Sequence, residues 1–303
     1  MITKKYPFVA TFLISAFLIH LFLYGFYLLV SAGLPDKTVY LQLRRYIPCA
    51  VAAAAAISLW RKAGLPVQKL WPHAATAFVW CITYPLCYWS SFHLNTVFID
   101  NHYDQAFAAY LFAVTVCLRL LLYNFTDCPK KCNWGGTVTA LLQELFLLVP
   151  ITEIIYFYAF GRPISESACI AMLQTNPNEA KEFLLQGFGI TGLIGIVIFL
   201  FLLFLLLAKG NRLDTNPIDG STSLSSGSCF PRKALTGTLV LLIATGSYCV
   251  HIFHKTGVIE RLYFAKQYFD ESAKFSGFHS ENLSHLEVIP PEKTFGNLVP
   301  LLW

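Results

Sequence analysis

Charged side chains are scarce in this sequence. Only 13% of its 303 residues are Asp, Glu, Lys or Arg, whereas 56% are hydrophobic, and the mean hydropathy is +0.56. This composition excludes an ordinary water-soluble domain and indicates an integral membrane protein. The net charge of +5 is spread over loops, so it does not indicate a partner that is a nucleic acid.

Several motifs that carry chemistry are also missing. The sequence has no Walker loop, dinucleotide fingerprint, serine-hydrolase elbow or His-Glu-x-x-His helix. Its nine cysteines include one tight pair, Cys128 and Cys132, but a zinc site would need two further ligands nearby. We therefore expect no metal site in this chain.

Long hydrophobic runs are what the sequence does contain. Six are long enough to cross about 30 Å of hydrocarbon and a seventh is short. The sequence predicts an all-α membrane protein, a bundle of about seven transmembrane helices, or of five if two N-terminal runs form a re-entrant or interfacial pair. The runs, the second being the short one, cover 8–32, 46–60, 74–92, 105–123, 139–160, 188–208 and 234–253.

Basic residues favour one orientation of this bundle. With the N-terminus in the cytoplasm, the inner segments carry eleven Lys and Arg residues and the outer loops before the tail carry five, as the positive-inside rule requires. An odd number of spans then places the C-terminal tail outside. Arg44 and Arg45, just before the short run, fit this pattern poorly.

The segment after the last run has the pattern of an amphipathic helix. Over 254–275, Val258, Leu262, Ala265 and Phe269 share one helical stripe, and further aromatic residues flank it. The pattern predicts a helix that lies in the interface on the outer side of the membrane. The segment 276–303 is predicted as a linker, which is polar as far as Lys293 and apolar from Phe295.

Charged residues inside the runs are costly and need partners. Glu144 and Glu153 lie on opposite faces of the fifth run. Pro150 loosens the helix before Glu153, and we favour a structural pairing of this carboxylate over a role in binding a lipid headgroup. Arg119 is expected to snorkel to the inner interface.

The most informative segment is 173–184, which reads Leu-Gln-Thr-Asn-Pro-Asn-Glu-Ala-Lys-Glu-Phe-Leu. Asn176 is a predicted N-cap, Pro177 occupies the first helical position, and Glu179 can reach back to the backbone N–H of the cap. The pattern predicts a short helix at the membrane surface.

A run of this kind between transmembrane helices resembles the membrane half of phosphoethanolamine transferases. The resemblance covers roughly 150–190 and extends to about 295. It implies a protein of the bacterial inner membrane that anchors the enzyme and positions phosphatidylethanolamine, whose headgroup is moved to lipid A or another envelope glycan. Phosphatidylethanolamine, other membrane lipids and a separate catalytic domain are the implied partners.

The resemblance also implies two site residues. In the family, an Asn, a Thr four residues later and a Glu four residues after that contact the donor headgroup, on one face if the helix runs through. Thr175 and Glu179 match the last two positions, and Ala171 stands where the Asn would be. Glu179 would pair with the ethanolamine ammonium and Thr175 would serve a phosphate oxygen. The alternative is that Glu179 only completes a capping box.

The nucleophile and zinc ligands of the family have no counterpart before Trp303. We expect a transmembrane domain over 1–253 with a periplasmic helical loop at 161–187, an interfacial helix over 254–275 and a linker over 276–303 to a missing catalytic domain. Such a truncated chain would be inactive alone, and zinc would belong to the missing domain. Two other classes stay open, a non-catalytic membrane protein that binds lipid or a partner enzyme, and a small-molecule transporter.

Overall fold

The fold is that of a computed structural model, which describes residues 7–30, 36–92, 103–127, 134–213 and 232–283. Cys128 and Cys132, the loop 214–231 and the end of the predicted linker lie outside the described residues. Throughout the described ranges the regular structure is helical, as predicted. Its α-helices are α1 (Pro7–Val30), α2 (Asp36–Lys62), α3 (Trp71–Phe92), α4 (Tyr103–Leu122), α5 (Trp134–Phe160), α6 (Glu166–Gln174), α7 (Pro177–Gly210), α8 (Arg232–Phe253) and α9 (Gly257–Leu283).

Five of these helices contain a segment long and apolar enough to cross a membrane, namely α1, α4, α5, α7 and α8. This matches the lower of the two predicted counts and confirms the all-α membrane class. Helices α2 and α3 correspond to the second and third hydrophobic runs. Polar side chains interrupt both of them, and α2 carries charged residues at its two ends as well as Arg44 and Arg45 within its length.

The long helices run between two ends of one bundle. At one end, Arg61 of α2 donates to the Thr11 hydroxyl of α1 at 2.7 Å, and at the other end Tyr27 and Tyr46 of the same two helices pack edge to face. The second end also holds the start of α4 and the end of α8. We call it the Asp104 end and the opposite one the Asn211 end.

Helix α4 forms the centre of the bundle. Most of its side chains are buried, and Phe107 packs against Trp80 of α3 and Phe253 of α8, with ring centroids 4.6 and 5.5 Å apart. By contrast, only 6% of the apolar segment of α1, and 6% of that of α7, is buried. Their leucine and phenylalanine side chains are therefore available to contact lipid.

A buried polar network closes the Asn211 end. The Arg119 guanidinium donates to the Asn211 carbonyl at 2.9 Å, and the Asn211 side-chain amide donates to Gln143 at 2.7 Å. Gln143 in turn contacts the ring of His73 at 3.1 Å. The expectation that Arg119 snorkels is wrong, because its side chain is fully buried. A carbonyl from the end of α7 supplies the acceptor that water would otherwise provide.

Helices α6 and α9 form a surface layer at the Asp104 end. Val258 and Ala265 of α9 are buried with Cys169 of α6 and Ile164 of the preceding loop. Leu262 of the predicted stripe packs on the same cluster. Three of the four stripe residues therefore pack on protein. Helix α9 continues to Leu283, into the segment predicted as a linker.

Helix α7 is kinked at Gly189. The backbone there has φ 65° and ψ 170°, so it departs from helical geometry in a region that essentially only glycine adopts. The kink separates a polar first part of α7, which begins at the surface layer, from the apolar part that runs to the Asn211 end.

Candidate functional site

The junction between α6 and α7 holds the two residues predicted to contact a lipid headgroup. Helix α6 is capped by Ser165 and ends at Gln174, and Thr175 is extended. Asn176 then caps α7, since its side-chain oxygen accepts the N–H groups of Asn178 and Glu179 at 3.0 and 2.9 Å. The Glu179 carboxylate accepts the Asn176 N–H at 3.4 Å. The predicted capping box is confirmed.

Because of this junction, Thr175 and Glu179 do not lie on one helical face. A shared face would require a single helix through both positions, but α6 ends at Gln174 and α7 begins at Pro177. The residue before a proline is disfavoured in helical conformation, so Asn176 before Pro177 breaks the chain into two helices. The Thr175 hydroxyl donates to the Ala171 carbonyl at 2.6 Å. It would have to release that carbonyl in order to donate to a phosphate oxygen.

Glu179 itself is exposed to solvent. Its capping contact uses Oε2, and an ionised carboxylate offers two oxygens with about four acceptor sites. The capping role and an ion pair with an ammonium group are therefore compatible.

Glu153 lies near the end of α5, beside the loop that leads into α6, and is fully buried. Both of its carboxylate oxygens accept the backbone N–H of Ile164, at 3.3 and 3.4 Å. The sequence predicted Glu153 as an intramembrane polar residue and favoured a structural pairing. The structure supplies a pairing, with a backbone donor from the loop after α5 and not with a neighbouring span.

Arg261 of α9 connects the same loop to the surface layer. Its guanidinium donates to the Ile164 carbonyl, so one residue of the loop joins a buried acid to a half-buried cation. Next to it, burial raises the pKa of the Glu260 carboxyl above its ordinary value. Arg261 and Lys255 oppose this shift, and Glu166 adds to it. The surface layer thus gathers charges of both signs.

Asp104 is a buried acid that sequence reasoning missed. It lies in the first turn of α4, where the helix dipole favours an anion. Both carboxylate oxygens lie 3.3 Å from the backbone nitrogen of Gly257, which donates to them. The sequence signal that could have identified Asp104 was its position between the segment 93–102 and an apolar run. Nothing local in the sequence pointed to Gly257.

A cavity of about 470 Å³ opens at the Asp104 end between α2, α4 and α8. We call it the basic cavity, because its lining includes Arg44, Arg45, His251 and Lys255. In the sequence, the two arginines were recognised only as a poor fit to the positive-inside rule. The structure brings them together with tyrosines from two other helices, Tyr103, Tyr110 and Tyr248.

No cluster of three or more His, Cys, Asp or Glu side chains that could hold a metal occurs among the described residues. The chain matches no protein-family model, no curated protein and no solved structure.

Proposed function

We propose that this chain is the membrane-anchoring and donor-lipid-positioning part of a phosphoethanolamine transferase system. The observation that carries the proposal is the segment 173–184, whose sequence resembles the family signature. In the structure this segment forms a capped helix start that presents Glu179 to solvent. A carboxylate in that position can pair with the ammonium of phosphatidylethanolamine.

The surroundings of Glu179 support contact with a lipid headgroup. The α6–α7 junction belongs to the surface layer at one end of an apolar bundle. In the same layer, Tyr263, Phe264 and Tyr268 of α9 are exposed, at 45%, 47% and 55%. Tyrosine and other aromatic side chains favour the headgroup level of a bilayer. A lipid whose headgroup lies at this level would reach Glu179 without leaving the membrane.

The proposal places the protein in the bacterial inner membrane, with its N-terminus in the cytoplasm. Its basis is the distribution of eleven inner and five outer basic residues in the sequence. The Asp104 end, with Glu179, then faces the periplasm, and the acceptor would be lipid A or another envelope glycan.

The transfer chemistry itself is not assigned to this chain. The resemblance implies zinc in a catalytic domain, and the described residues bring no zinc-ligand set together. The residues of this chain bind and orient the donor lipid, and a separate catalytic domain is the partner that would perform the displacement at phosphorus.

The test is the lipid selectivity of a Glu179→Gln variant. Glutamine still completes a capping box but cannot form an ion pair, so the variant should fold normally. It should lose about 1–3 kcal/mol of binding free energy for phosphatidylethanolamine, the usual contribution of a charge-assisted hydrogen bond. Native mass spectrometry would measure retention of phosphatidylethanolamine over phosphatidylglycerol.

Glu182→Gln is the matched control, because Glu182 is an exposed acid of the same helix that lies outside the capping box. It should retain phosphatidylethanolamine as the wild type does. Equal retention by wild type and Glu179→Gln would leave Glu179 as a helix cap and would refute the proposed site.

A further inference from the structure

We propose that the basic cavity binds the phosphate group of an anionic phospholipid. Neither Glu179 nor the transferase proposal is needed for this inference. It rests on the charge, depth, shape and access of a cavity built from α2, α4 and α8.

The lining of the basic cavity is rich in positively charged side chains. Arg44 and Arg45 come from α2, and Lys255 follows the end of α8, while no carboxylate lines the cavity among the described residues. Arginine offers a planar fork of N–H donors that matches two phosphate oxygens. The Lys255 ammonium lies 5.4 Å from the ring centre of Tyr103, over the cavity wall. Such a set of donors suits a phosphate diester.

The cavity lies at the level of the membrane that lipid headgroups occupy. Helix α4 begins at Tyr103 and α8 ends at Phe253, so both apolar segments stop at the level of the cavity. Helix α2 begins earlier, at Asp36, and projects roughly 12 Å beyond Arg44 at 1.5 Å per residue. The two arginines therefore lie where hydrocarbon gives way to water. The three tyrosines of the lining are also typical of this level.

Size and access fit a lipid that enters from the side. A volume of about 470 Å³ lies within the usual range for small-ligand sites. Leu41 of α2 and Tyr248 of α8 belong to the lining and are 53% and 49% exposed, on the outer surface of the bundle. A headgroup can occupy the cavity while its acyl chains stay along the apolar surfaces of α2 and α8.

The charge of the cavity selects against one class of phospholipid. The ammonium of phosphatidylethanolamine would approach Arg44, Arg45 and Lys255, and like charges repel. Phosphatidylglycerol has the same phosphate, but a neutral glycerol replaces the charged ethanolamine. The basic cavity should therefore prefer the anionic lipid, the reverse of the preference proposed for Glu179.

The experiment is a native mass spectrometry titration of the full chain with phosphatidylglycerol, phosphatidylethanolamine and phosphatidylcholine of identical acyl chains. A parallel arm uses inorganic phosphate and follows thermal unfolding. We expect phosphatidylglycerol to bind more tightly than phosphatidylcholine, and inorganic phosphate to give less stabilisation than phosphatidylglycerol. The double variant R44Q/R45Q should bind phosphatidylglycerol at least about tenfold more weakly, since each charged hydrogen bond contributes that order.

Two further variants make the result decisive. R162Q/K181Q removes the same charge from exposed positions at the same end of the bundle and should keep wild-type binding of phosphatidylglycerol. Lys255→Gln leaves both arginines in place and should weaken binding even if R44Q/R45Q fails to fold. Equal binding of phosphatidylglycerol and phosphatidylcholine would overturn the proposal, and so would an equal loss in R162Q/K181Q. Equal stabilisation by inorganic phosphate would assign the cavity to a soluble anion instead.

Discussion

At the scale of single residues, the Asp104 end is organised by two buried carboxylates that accept backbone N–H groups. Glu153 accepts from Ile164 and Asp104 from Gly257. A buried acid without a donor would cost several kcal/mol of folding free energy, so each acid needs its loop in place. The loops that carry the surface layer are therefore fixed by side chains of the bundle.

Glu153→Ala should lower stability, because the buried N–H of Ile164 would lose its acceptor. An unsatisfied buried donor costs about 1–3 kcal/mol. Glu153→Gln keeps a side-chain acceptor and should cost less. Thermal unfolding in detergent measures both changes.

Glu144→Ala is the control for this comparison, since Glu144 is only partly buried and lies on the opposite face of α5. It should unfold close to the wild-type temperature. Wild-type stability of Glu153→Ala, together with altered lipid retention, would support the headgroup role for Glu153 in place of the structural one.

At the scale of elements, the kink in α7 depends on one glycine. Gly189→Ala should destabilise the protein by about 1–3 kcal/mol, the cost of a non-glycine residue in this backbone region. A Cβ atom at Gly189 would meet no atom within 4 Å. The cost therefore comes from the backbone conformation and not from a clash.

Gly187→Ala is the matched substitution, two positions earlier, where a Cβ also meets nothing within 4 Å and the backbone is helical. It should be neutral or slightly stabilising, since alanine favours a helix over glycine. The two variants would be compared by thermal unfolding in the same detergent. Equal unfolding temperatures would mean that α7 can straighten without cost.

Elements whose cause is local were predictable from the sequence. The Asn176 cap, the Pro177 position and the Glu179 contact all lie within four residues, and the structure has all three. The stripe of α9 was also found by its periodicity. What the stripe packs against was not, because Cys169 and Ile164 approach it only through the tertiary fold.

At the scale of the whole molecule, the long-range contacts account for what the sequence could not show. Arg119 is buried because Asn211, far along the chain, supplies a carbonyl. The basic cavity likewise takes its residues from α2, α4 and α8. In the sequence, Arg44 and Arg45 are only a poor fit to the positive-inside rule. In the fold, both line one cavity.

The proposed orientation predicts that the loop 214–231 faces the cytoplasm and α9 faces the periplasm. Single cysteines at Ser223 and Ser280, on a cysteine-free background, would be tested with a membrane-impermeant thiol reagent in intact cells. The Ser280 site should react and the Ser223 site should react only after the cells are opened. Labelling of the Ser223 site from outside would contradict the proposed orientation.

The hydrogen bond from Gly257 to Asp104 has a consequence for how the protein is made. The donor is synthesised 153 residues after the acceptor, when helices α1 to α8 have already been synthesised. Asp104 therefore cannot have this partner while α4 and the later spans are being synthesised. The buried pairing of Asp104 forms only once the start of α9 has packed against the start of α4.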